Sequence, residues 1–183
     1  PRLKLSDMKE NLEGLRGQAV EALESLRATA QGLRPRIIDD LGLAAALDWI
    51  AEELEKDQKM QAQVEATGID RELSPETQIV LFRIAQEALN NIRKHAKATV
   101  VTIKVKGETD HITMTVTDNG LGFKVPERFE DMVSAGRLGL MGMYERSRLL
   151  NGSLQIKSTP GKGTELLVRL PWQVSDTKDL LTG

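Results

Sequence analysis

The chain has 183 residues, of which 40% are apolar and 28% are charged, and these proportions are typical of a globular protein with one full core. The formal net charge is −2 with both signs dispersed along the chain, so we expect no direct binding of nucleic acid through a basic face. The absence of cysteine excludes disulfide bonds, thiolate nucleophiles and cysteine–zinc sites.

The chain is expected to lie in the cytoplasm. A cysteine-free sequence suits a reducing compartment, and no apolar run approaches the roughly 18 residues that a membrane span needs. Because the chain begins at Pro1 without a signal peptide, we interpret it as a fragment of a longer protein, which leaves room for a membrane anchor upstream.

The first predicted element is a long helix that ends before Pro35. Between Leu5 and Leu33, apolar residues recur at alternating spacings of three and four, which is the heptad pattern of a helix that packs along a seam. A helix with a single apolar seam needs a partner, so residues 1–34 are predicted to form a bundle with helices of a second copy. The alternative is that the seam packs against the chain's own domain.

Three further helices and five strands are predicted downstream. Ser74 suits an N-cap and Pro75 suits the first helical position, so a helix is expected to start there. A polar, weakly patterned stretch at about 123–138 predicts a flexible loop, and residues 172–183 are predicted to be a disordered tail. The helices are predicted at about 41–57, from 75 to about 95 and from after Gly142 to about 151, and the strands at 61–66, 98–106, 111–118, 153–158 and 164–170.

This order of elements predicts an α+β fold. Helices and strands so arranged form a two-layer α/β sandwich, in which a mixed, mainly antiparallel sheet carries helices on one face. Residues 35–171 are assigned to this domain, and the long helix at residues 1–34 precedes it.

The most informative motif is the segment 118–122, Asp-Asn-Gly-Leu-Gly, at the end of a predicted strand. The strand is apolar at every even position from 112 to 116, so Asp118 shares its core-directed face. An inward carboxylate needs hydrogen-bond donors, and glycines allow a loop to approach a ligand closely. One interpretation is a carboxylate that accepts from an amino group at the floor of a pocket, and the other is a turn capped by the aspartate.

A second set of polar residues lies on the helix predicted from residue 75. Glu87, Asn91 and Lys94 follow one another at about one turn and share a face. An asparagine carbonyl suits Mg²⁺, which keeps water and substrate phosphates as its other ligands. A carboxylate one turn away suits the activation of a nucleophile, and Lys94 or His95 would meet phosphate. The alternative is that this stripe is an ordinary solvated surface.

Two glycine-containing segments follow the predicted loop. The segment 139–143, Gly-Leu-Met-Gly-Met, stands at the predicted start of a helix, where free N–H groups and the helix dipole favour anions. The segment 161–164, Gly-Lys-Gly-Thr, is most simply a hairpin turn.

The order of these motifs resembles a known family. An asparagine-bearing helix, a strand with D-x-G-x-G, a loop, G-x-x-G and then G-x-G-T is similar to the nucleotide-binding domain shared by gyrase, heat-shock chaperone, mismatch-repair and histidine-kinase proteins, the Bergerat or GHKL fold. This resemblance covers about residues 75–171.

Seven short segments carry a closer resemblance: Leu-Arg-Pro at 33–35, Leu-Gly-Leu at 41–43, Ala-Leu at 46–47, Glu-Ala-Leu-Asn-Asn at 87–91, His-Ala at 95–96, Gly-Leu-Met-Gly-Met at 139–143 and Glu-Arg at 145–146. Together they resemble sensor histidine kinases of the subfamily that partners NarL-type response regulators. The resemblance implies that residues 1–34 are the second helix of a dimerisation domain, through which the protein forms a homodimer, and that residues 35–171 are the catalytic, ATP-binding domain.

The resemblance implies a nucleotide site whose base end is built around Asp118. This carboxylate would accept from the adenine amino group, which selects adenine. Thr164 would lie near the adenine beside it, and Gly120 and Gly122 would shape the pocket.

The phosphate end is implied to lie on the predicted asparagine helix. Asn91 would hold Mg²⁺ against the phosphates, with Lys94 and His95 near them. Glu87 matches a general-base position of ATP-hydrolysing relatives and would here help the attacking imidazole.

A lid is implied over the site at residues 123–138. Gly139 and Gly142 would act as its hinge and present N–H groups to phosphate, with Leu140 between them also among the nucleotide-binding residues.

The sequence departs from the family pattern in its histidines. The family's phosphoacceptor lies in an acidic-flanked motif, whereas His95 ends a predicted helix and His111 starts a predicted strand. The acceptor helix is therefore expected upstream of Pro1, and the fragment is expected to bind ATP and Mg²⁺ without autophosphorylating alone. The alternatives are a serine kinase of the anti-sigma-factor type, which shares the fold, and a non-catalytic nucleotide-binding scaffold.

Overall fold

A computed structural model describes residues 36–58, 60–69, 73–126 and 138–172. The helix predicted at residues 1–34, most of the loop predicted at 123–138 and the tail beyond residue 172 lie outside the described residues. The predicted boundary between a dimerisation helix and a catalytic domain therefore stays a prediction.

The described residues form three α-helices, one π-helical turn and five strands. Every predicted strand is confirmed to within two residues at each end. Within the described ranges, no helix has the length and apolar character needed to cross a membrane. The α-helices are Arg36–Gln58 (α1), Pro75–Asn91 (α2) and Leu138–Leu149 (α3), the π-helical turn is Ile92–Ala96, and the strands are Gln61–Thr67 (β1), Val100–Gly107 (β2), His111–Asp118 (β3), Ser153–Ser158 (β4) and Thr164–Pro171 (β5).

The strands form a single mixed sheet in the order β1-β2-β3-β5-β4. β1 is parallel to β2, and the other three pairs are antiparallel. Alternate side chains along β2, β3 and β5 are buried, and the helices pack over that face. The predicted α+β fold, with a mixed, mainly antiparallel sheet and helices on one face, is confirmed.

The opposite face of the sheet is polar. Two ion pairs lie on it, Lys104 with Glu65 at 2.9 Å and Lys157 with Glu165 at 3.0 Å, and both pairs are largely exposed. Exposed pairs of this kind contribute about 1 kcal/mol or less. This face is therefore a solvated surface and not a second core.

The hydrophobic core lies between the inner face of the sheet and the helices. A large apolar side chain stabilises the fold by roughly 1.5–3 kcal/mol when it is fully buried. Because one side of α2 is buried in this core, its polar side, which carries Glu87 and Asn91, is held in a fixed place. The largest fully buried side chains are those of Phe82, Leu47, Leu81, Ile84, Ile103, Ile112, Met114, Met143, Leu170, Val101 and Val105.

Helix α1 starts earlier than predicted. Helical residues begin at Arg36 and meet the predicted helix at Gly42, whose φ of 79° and ψ of 176° are not helical. Glycine adopts a positive φ without steric penalty, so Gly42 redirects the chain between two helical parts. The first part is too short to show an apolar period in the sequence.

Helix α2 starts as predicted and ends differently. The Ser74 hydroxyl accepts a hydrogen bond from the Thr77 N–H at 3.2 Å, with Pro75 as the first helical residue. The predicted continuous helix to about residue 95 is wrong beyond Asn91, because residues 92–96 form a π-helical turn. Such turns occur often at functional sites.

The predicted start of helix α3 after Gly142 is also wrong. The helix begins at Leu138, so Gly139 and Gly142 both lie inside it. The reason is packing, since Met143 is fully buried and Leu140 packs against the core. These contacts outweigh the cost of about 1 kcal/mol that each internal glycine imposes on a helix.

Candidate functional site

Asp118 is a buried carboxylate at the end of β3. Its side chain is on the inner face with Met114 and Val116, as the alternation along the strand predicts, and the residue is only 6% exposed. One carboxylate oxygen accepts a hydrogen bond from the Gly120 N–H at 2.7 Å. Thr164, its register partner on β5, also donates to the carboxylate. The inward charge is therefore stabilised by donors from its own loop and from the neighbouring strand.

The environment of Asp118 changes its acidity. Burial raises the pKa of the carboxyl above its ordinary value of 3.8, and the hydrogen bonds from Gly120 and Thr164 oppose this only in part. A carboxylate in such a place is a strong acceptor for a ligand N–H group, because little water competes for it.

This raised pKa predicts a pH dependence of stability. The folded chain takes up the proton at a higher pH than the unfolded chain, in which an aspartate titrates near about 3.9. The free energy of unfolding of the wild type, relative to an Asp118→Asn variant, should therefore rise as the pH falls from above the raised pKa towards that value. Above the raised pKa the difference should be flat. Urea unfolding of both proteins between about pH 4 and pH 7 measures this difference in the free energy of unfolding. A fall in the stability of the wild type relative to the variant on acidification would show that the pKa of Asp118 is lowered instead.

The loop 119–122 is pressed against protein backbone on both sides. A Cβ atom at Gly120 would lie 2.3 Å from the Ala96 carbonyl oxygen, and one at Gly122 would lie 2.2 Å from that of Thr159. The Leu121 N–H donates to the Ala96 carbonyl at 2.7 Å. The glycines thus permit close packing of the loop against the π-helical turn and the β4–β5 turn.

The β4–β5 turn supports Asp118 from the other side. Gly163 has a φ of 72°, and a Cβ atom there would lie 2.0 Å from the Asp118 carbonyl oxygen. The Ser158 hydroxyl accepts from the Phe123 N–H at 2.8 Å, donates to the Gly163 carbonyl at 2.9 Å, and lies 3.0 Å from the Thr164 hydroxyl. The turn, which the sequence most simply predicts to be a hairpin connection, therefore also forms one wall of the site.

Asn91 is the last residue of α2 and has an unusual amide. Among the described residues, its Nδ2 is the buried side-chain polar atom without a hydrogen-bond partner. An unpaired buried polar group costs about 1–3 kcal/mol, so its presence needs an explanation. A side-chain amide can rotate to present either its oxygen or its nitrogen, and a bound ligand would satisfy it.

Glu87 lies against the start of α3. A Cβ atom at Gly139 would lie 2.0 Å from the Glu87 Oε1 atom, so glycine is what allows this carboxylate to approach the helix. The first turn of a helix has N–H groups without intrahelical partners and a positive dipole end, which a carboxylate stabilises. Gly139 and Leu140 lie in this turn, whereas the N–H of Gly142 is one turn further on and bonds within the helix.

Two arginines, one on α2 and one on α3, interact with each other. Burial lowers the pKa of Arg83, on α2, and the charge of Arg146, on α3, lowers it further. A Cβ atom at Gly142 would lie 3.2 Å from the Arg146 guanidinium, so this glycine leaves room for the arginine. Arg146 belongs to one of the segments that carry the family resemblance, but neither arginine is among the site residues predicted from the sequence.

The π-helical turn connects the two groups of predicted residues. It begins directly after Asn91, and its last residue, Ala96, contacts Gly120. Lys94 and His95 lie on it with exposed side chains. The structure thus joins one group, Asp118, Gly120, Gly122 and Thr164, to a second group, Glu87, Asn91 and Gly139, through this turn.

A cleft of about 380 Å³ opens at the same strand ends. Its lining includes Thr117, Lys157 and Glu165, which point away from the helices, as well as Asp118 and Thr164. It therefore reaches the end of the sheet from the solvent side, whereas the Asp118 carboxylate faces the helices. We do not assign the nucleotide to this cleft.

Two supporting residues escape prediction from the sequence. Asn119 binds the backbone at the start of β2, and Ser158 links three segments around the β4–β5 turn. The only signal for Asn119 is that asparagine favours turns and binds nearby backbone groups. Nothing in the sequence indicates that its partner lies nineteen and twenty residues earlier in the chain.

Comparison with known families identifies the domain. Residues 76–174 match the family described as histidine kinase-, DNA gyrase B-, and HSP90-like ATPase. The chain belongs to this family. The matched residues run from α2 through β5 and contain the whole candidate site, and an ATPase domain of this kind implies ATP binding.

Histidine kinases are among the curated proteins that are similar to this chain. The signal transduction histidine-protein kinase/phosphatase DegS of Brevibacillus brevis is 32% identical over 167 residues, covering 91% of this chain and 42% of the relative. The oxygen sensor histidine kinase NreB of Staphylococcus carnosus is 32% identical over 168 residues, covering 92% of this chain and 46% of the relative. The chain thus spans less than half the length of either relative.

Solved structures agree on the fold of the ATPase domain. The histidine kinase domain of a blue-light activated histidine kinase from Erythrobacter litoralis superposes with a TM-score of 0.62 at 22% identity. The match covers 92% of this chain and 86% of that one.

Proposed function

We propose that this chain is the ATP-binding catalytic portion of a sensor histidine kinase. It would transfer the γ-phosphoryl group of ATP to a histidine outside these residues, for relay to a NarL-type response regulator. The observation that carries the proposal is the buried, inward carboxylate of Asp118, held at the edge of the site by Gly120 and Thr164 in a domain of the ATPase family. The names of the relatives support the kinase assignment.

Asp118 selects the base in this proposal. Gly120 and Thr164 donate to its oxygens, and an ionised carboxylate has about four acceptor positions, so at least one position remains for a ligand. Adenine presents an amino group at the position where guanine presents a carbonyl oxygen. A carboxylate therefore attracts adenine and repels guanine.

Asn91 is the residue best suited to hold Mg²⁺. Within the described residues, no three His, Asp or Glu side chains gather into a metal-binding cluster. Mg²⁺ accepts one protein oxygen when phosphates and water complete its octahedral shell. The Asn91 amide, whose Nδ2 has no hydrogen-bond partner, can rotate to present its oxygen to the cation. When bound, the cation would neutralise charge on the phosphates.

The other polar residues take roles around the phosphates. Lys94 and His95 are exposed on the turn that follows Asn91 and can reach an anion there. Gly139 and Leu140 offer the N–H groups of the first turn of α3 to phosphate. Glu87, which lies beside that turn, would orient or receive the proton of the attacking imidazole.

The role of Asn91 predicts a magnesium-dependent effect. An Asn91→Ala variant should lose about tenfold or more in affinity for ATP measured with Mg²⁺, and much less without it, because a ligand oxygen to the cation is worth at least a charge-assisted hydrogen bond. Calorimetric titration in each condition gives both constants.

Asn90→Ala is the matched control for this variant. Asn90 is adjacent on the same helix and accepts a hydrogen bond from Arg93 at 3.0 Å. Its replacement by alanine removes a side-chain amide that lies outside the proposed site. Equal losses for Asn91→Ala with and without Mg²⁺ would contradict its assignment as the metal-binding residue.

The proposed reaction also needs an acceptor. We propose that the phosphoacceptor histidine, the contacts of a homodimer through residues 5–33 and the cytoplasmic setting belong to the longer protein of which this chain is a part. Incubation with radiolabelled ATP should label the full-length protein at a histidine, with the acid lability of phosphohistidine, and leave the 183-residue chain unlabelled. Label on His95 or His111 would contradict the proposed acceptor, and no label on either protein would favour a nucleotide-binding scaffold.

A further inference from the structure

Asn119 ties the base end of the site to the segment that carries the phosphate end. Its Oδ1 accepts hydrogen bonds from the Thr99 N–H at 2.9 Å and the Val100 N–H at 3.0 Å. Its Nδ2 donates to the Thr99 hydroxyl at 2.9 Å. One exposed side chain therefore makes three hydrogen bonds to two consecutive residues.

These partners directly follow the π-helical turn. Ala96 ends the turn, Lys97 has a left-handed φ of 50°, and β2 begins at Val100. The N–H groups that Asn119 binds thus lie where the chain leaves the turn and enters the sheet. Backbone contacts add to the same junction, because the Leu121 N–H donates to Ala96 at 2.7 Å and the Asn119 N–H to Val100 at 3.3 Å.

We propose that Asn119 is a positioning residue, which sets the distance between the adenine-binding carboxylate and the phosphate-binding turn. Asp118 precedes it as the last residue of β3, and Asn91, Lys94 and His95 lie on the π-helical turn or just before it. A nucleotide can bind the adenine-binding carboxylate and the phosphate-binding turn at the same time only when the two are held at the correct separation. The inference rests on the proposed function and adds to it a residue that need not touch the nucleotide.

The chemistry of the contact predicts which substitutions preserve it. Asn119→Ala removes both the oxygen and the amide donor. Asn119→Asp keeps an oxygen for the two N–H groups, and the Thr99 hydroxyl can rotate to donate to the second oxygen. The aspartate variant should therefore keep most of the hydrogen bonds to Thr99 and Val100 that the alanine variant loses.

The test compares adenosine with ATP. Isothermal titration of the purified chain, with Mg²⁺ present, gives the ratio of the dissociation constants for adenosine and ATP, which reports how much the phosphates add. Loss of three hydrogen bonds should reduce this ratio by about tenfold in Asn119→Ala, with adenosine affinity little changed, and Asn119→Asp should restore it. Thr117→Ala, an exposed neighbour on the outer face, is the control and should leave the ratio unchanged.

The outcomes separate this inference from the proposed function. Equal losses for adenosine and ATP in Asn119→Ala, or an unchanged ratio, would overturn the positioning role while leaving the ATP site in place. If the wild type binds neither ATP nor adenosine, the proposed function is overturned, and the positioning role with it. A urea unfolding curve for each variant keeps a folding defect from being counted as a loss of positioning.

Discussion

Replacement of Asp118 by asparagine is expected to lower the affinity of the chain for ATP by about 10- to 100-fold. A hydrogen bond to a charged group is worth about 1.5–3 kcal/mol, and each 1.4 kcal/mol is a factor of ten in affinity. The fold should persist, because the asparagine oxygen can still accept from the Gly120 N–H that the carboxylate binds at 2.7 Å.

The same variant should lose its preference among bases. An asparagine amide can turn its nitrogen towards a guanine carbonyl, whereas a carboxylate repels that oxygen. Titration with ATP and GTP should therefore show a large ratio of affinities for the wild type and a ratio near one for Asp118→Asn. The control is Thr117→Ala, since Thr117 precedes Asp118 on the outward face of the same strand. An Asp118→Asn variant with wild-type ATP affinity would remove the base-binding role from this residue.

Replacement of Gly163 by alanine is expected to destabilise the fold by about 2–5 kcal/mol. The residue has a φ of 72°, which costs a non-glycine residue about 1–2 kcal/mol. The new Cβ atom would also stand 2.0 Å from the carbonyl oxygen of Asp118 and 3.1 Å from the Cα atom of Asn119. Because these are backbone atoms, relief requires a shift of the loop, and overpacking of this kind adds about 1–3 kcal/mol or more.

Gly161→Ala is a matched control in the same turn. Gly161 has a similar φ of 79°, but a Cβ atom there would have no neighbour within 4 Å. The free energy of unfolding should therefore fall only by the cost of the left-handed conformation, which is about 1–2 kcal/mol. Urea unfolding of both variants isolates the cost of the close approach, and ATP titration of any folded Gly163→Ala protein should show weaker binding. Equal destabilisation by the two substitutions would show that the turn does not support Asp118 through this contact.

Local patterns in the sequence suffice to predict much of this fold. The alternation of β3 places Asp118 on the inner face, and the structure confirms this. Ser74 and Pro75 mark the start of α2 because a hydroxyl cap and a fixed proline φ act on the next few residues. Each of these predictions depends on the chemistry of neighbours in the chain.

The errors arise where distant contacts decide the local structure. The π-helical turn after Asn91 has no apolar period of its own, and its last residue is held by the loop 119–122. The early start of α3 depends on the packing of Met143 and Leu140 against a core built from distant parts of the chain. The role of Asn119 depends on hydrogen bonds to residues that precede it by nineteen and twenty positions. None of these contacts can be predicted from the spacing of residue types.

The most direct test of the proposed site is calorimetric titration of the purified chain with ATP and GTP, each with and without Mg²⁺. We predict saturable binding of ATP that is strengthened by Mg²⁺, with GTP bound at least about tenfold more weakly, since a carboxylate at the base discriminates by at least one charge-assisted hydrogen bond. Equal affinities for ATP and GTP, or no binding of ATP at millimolar concentration, would contradict the assignment of this site to adenine nucleotides.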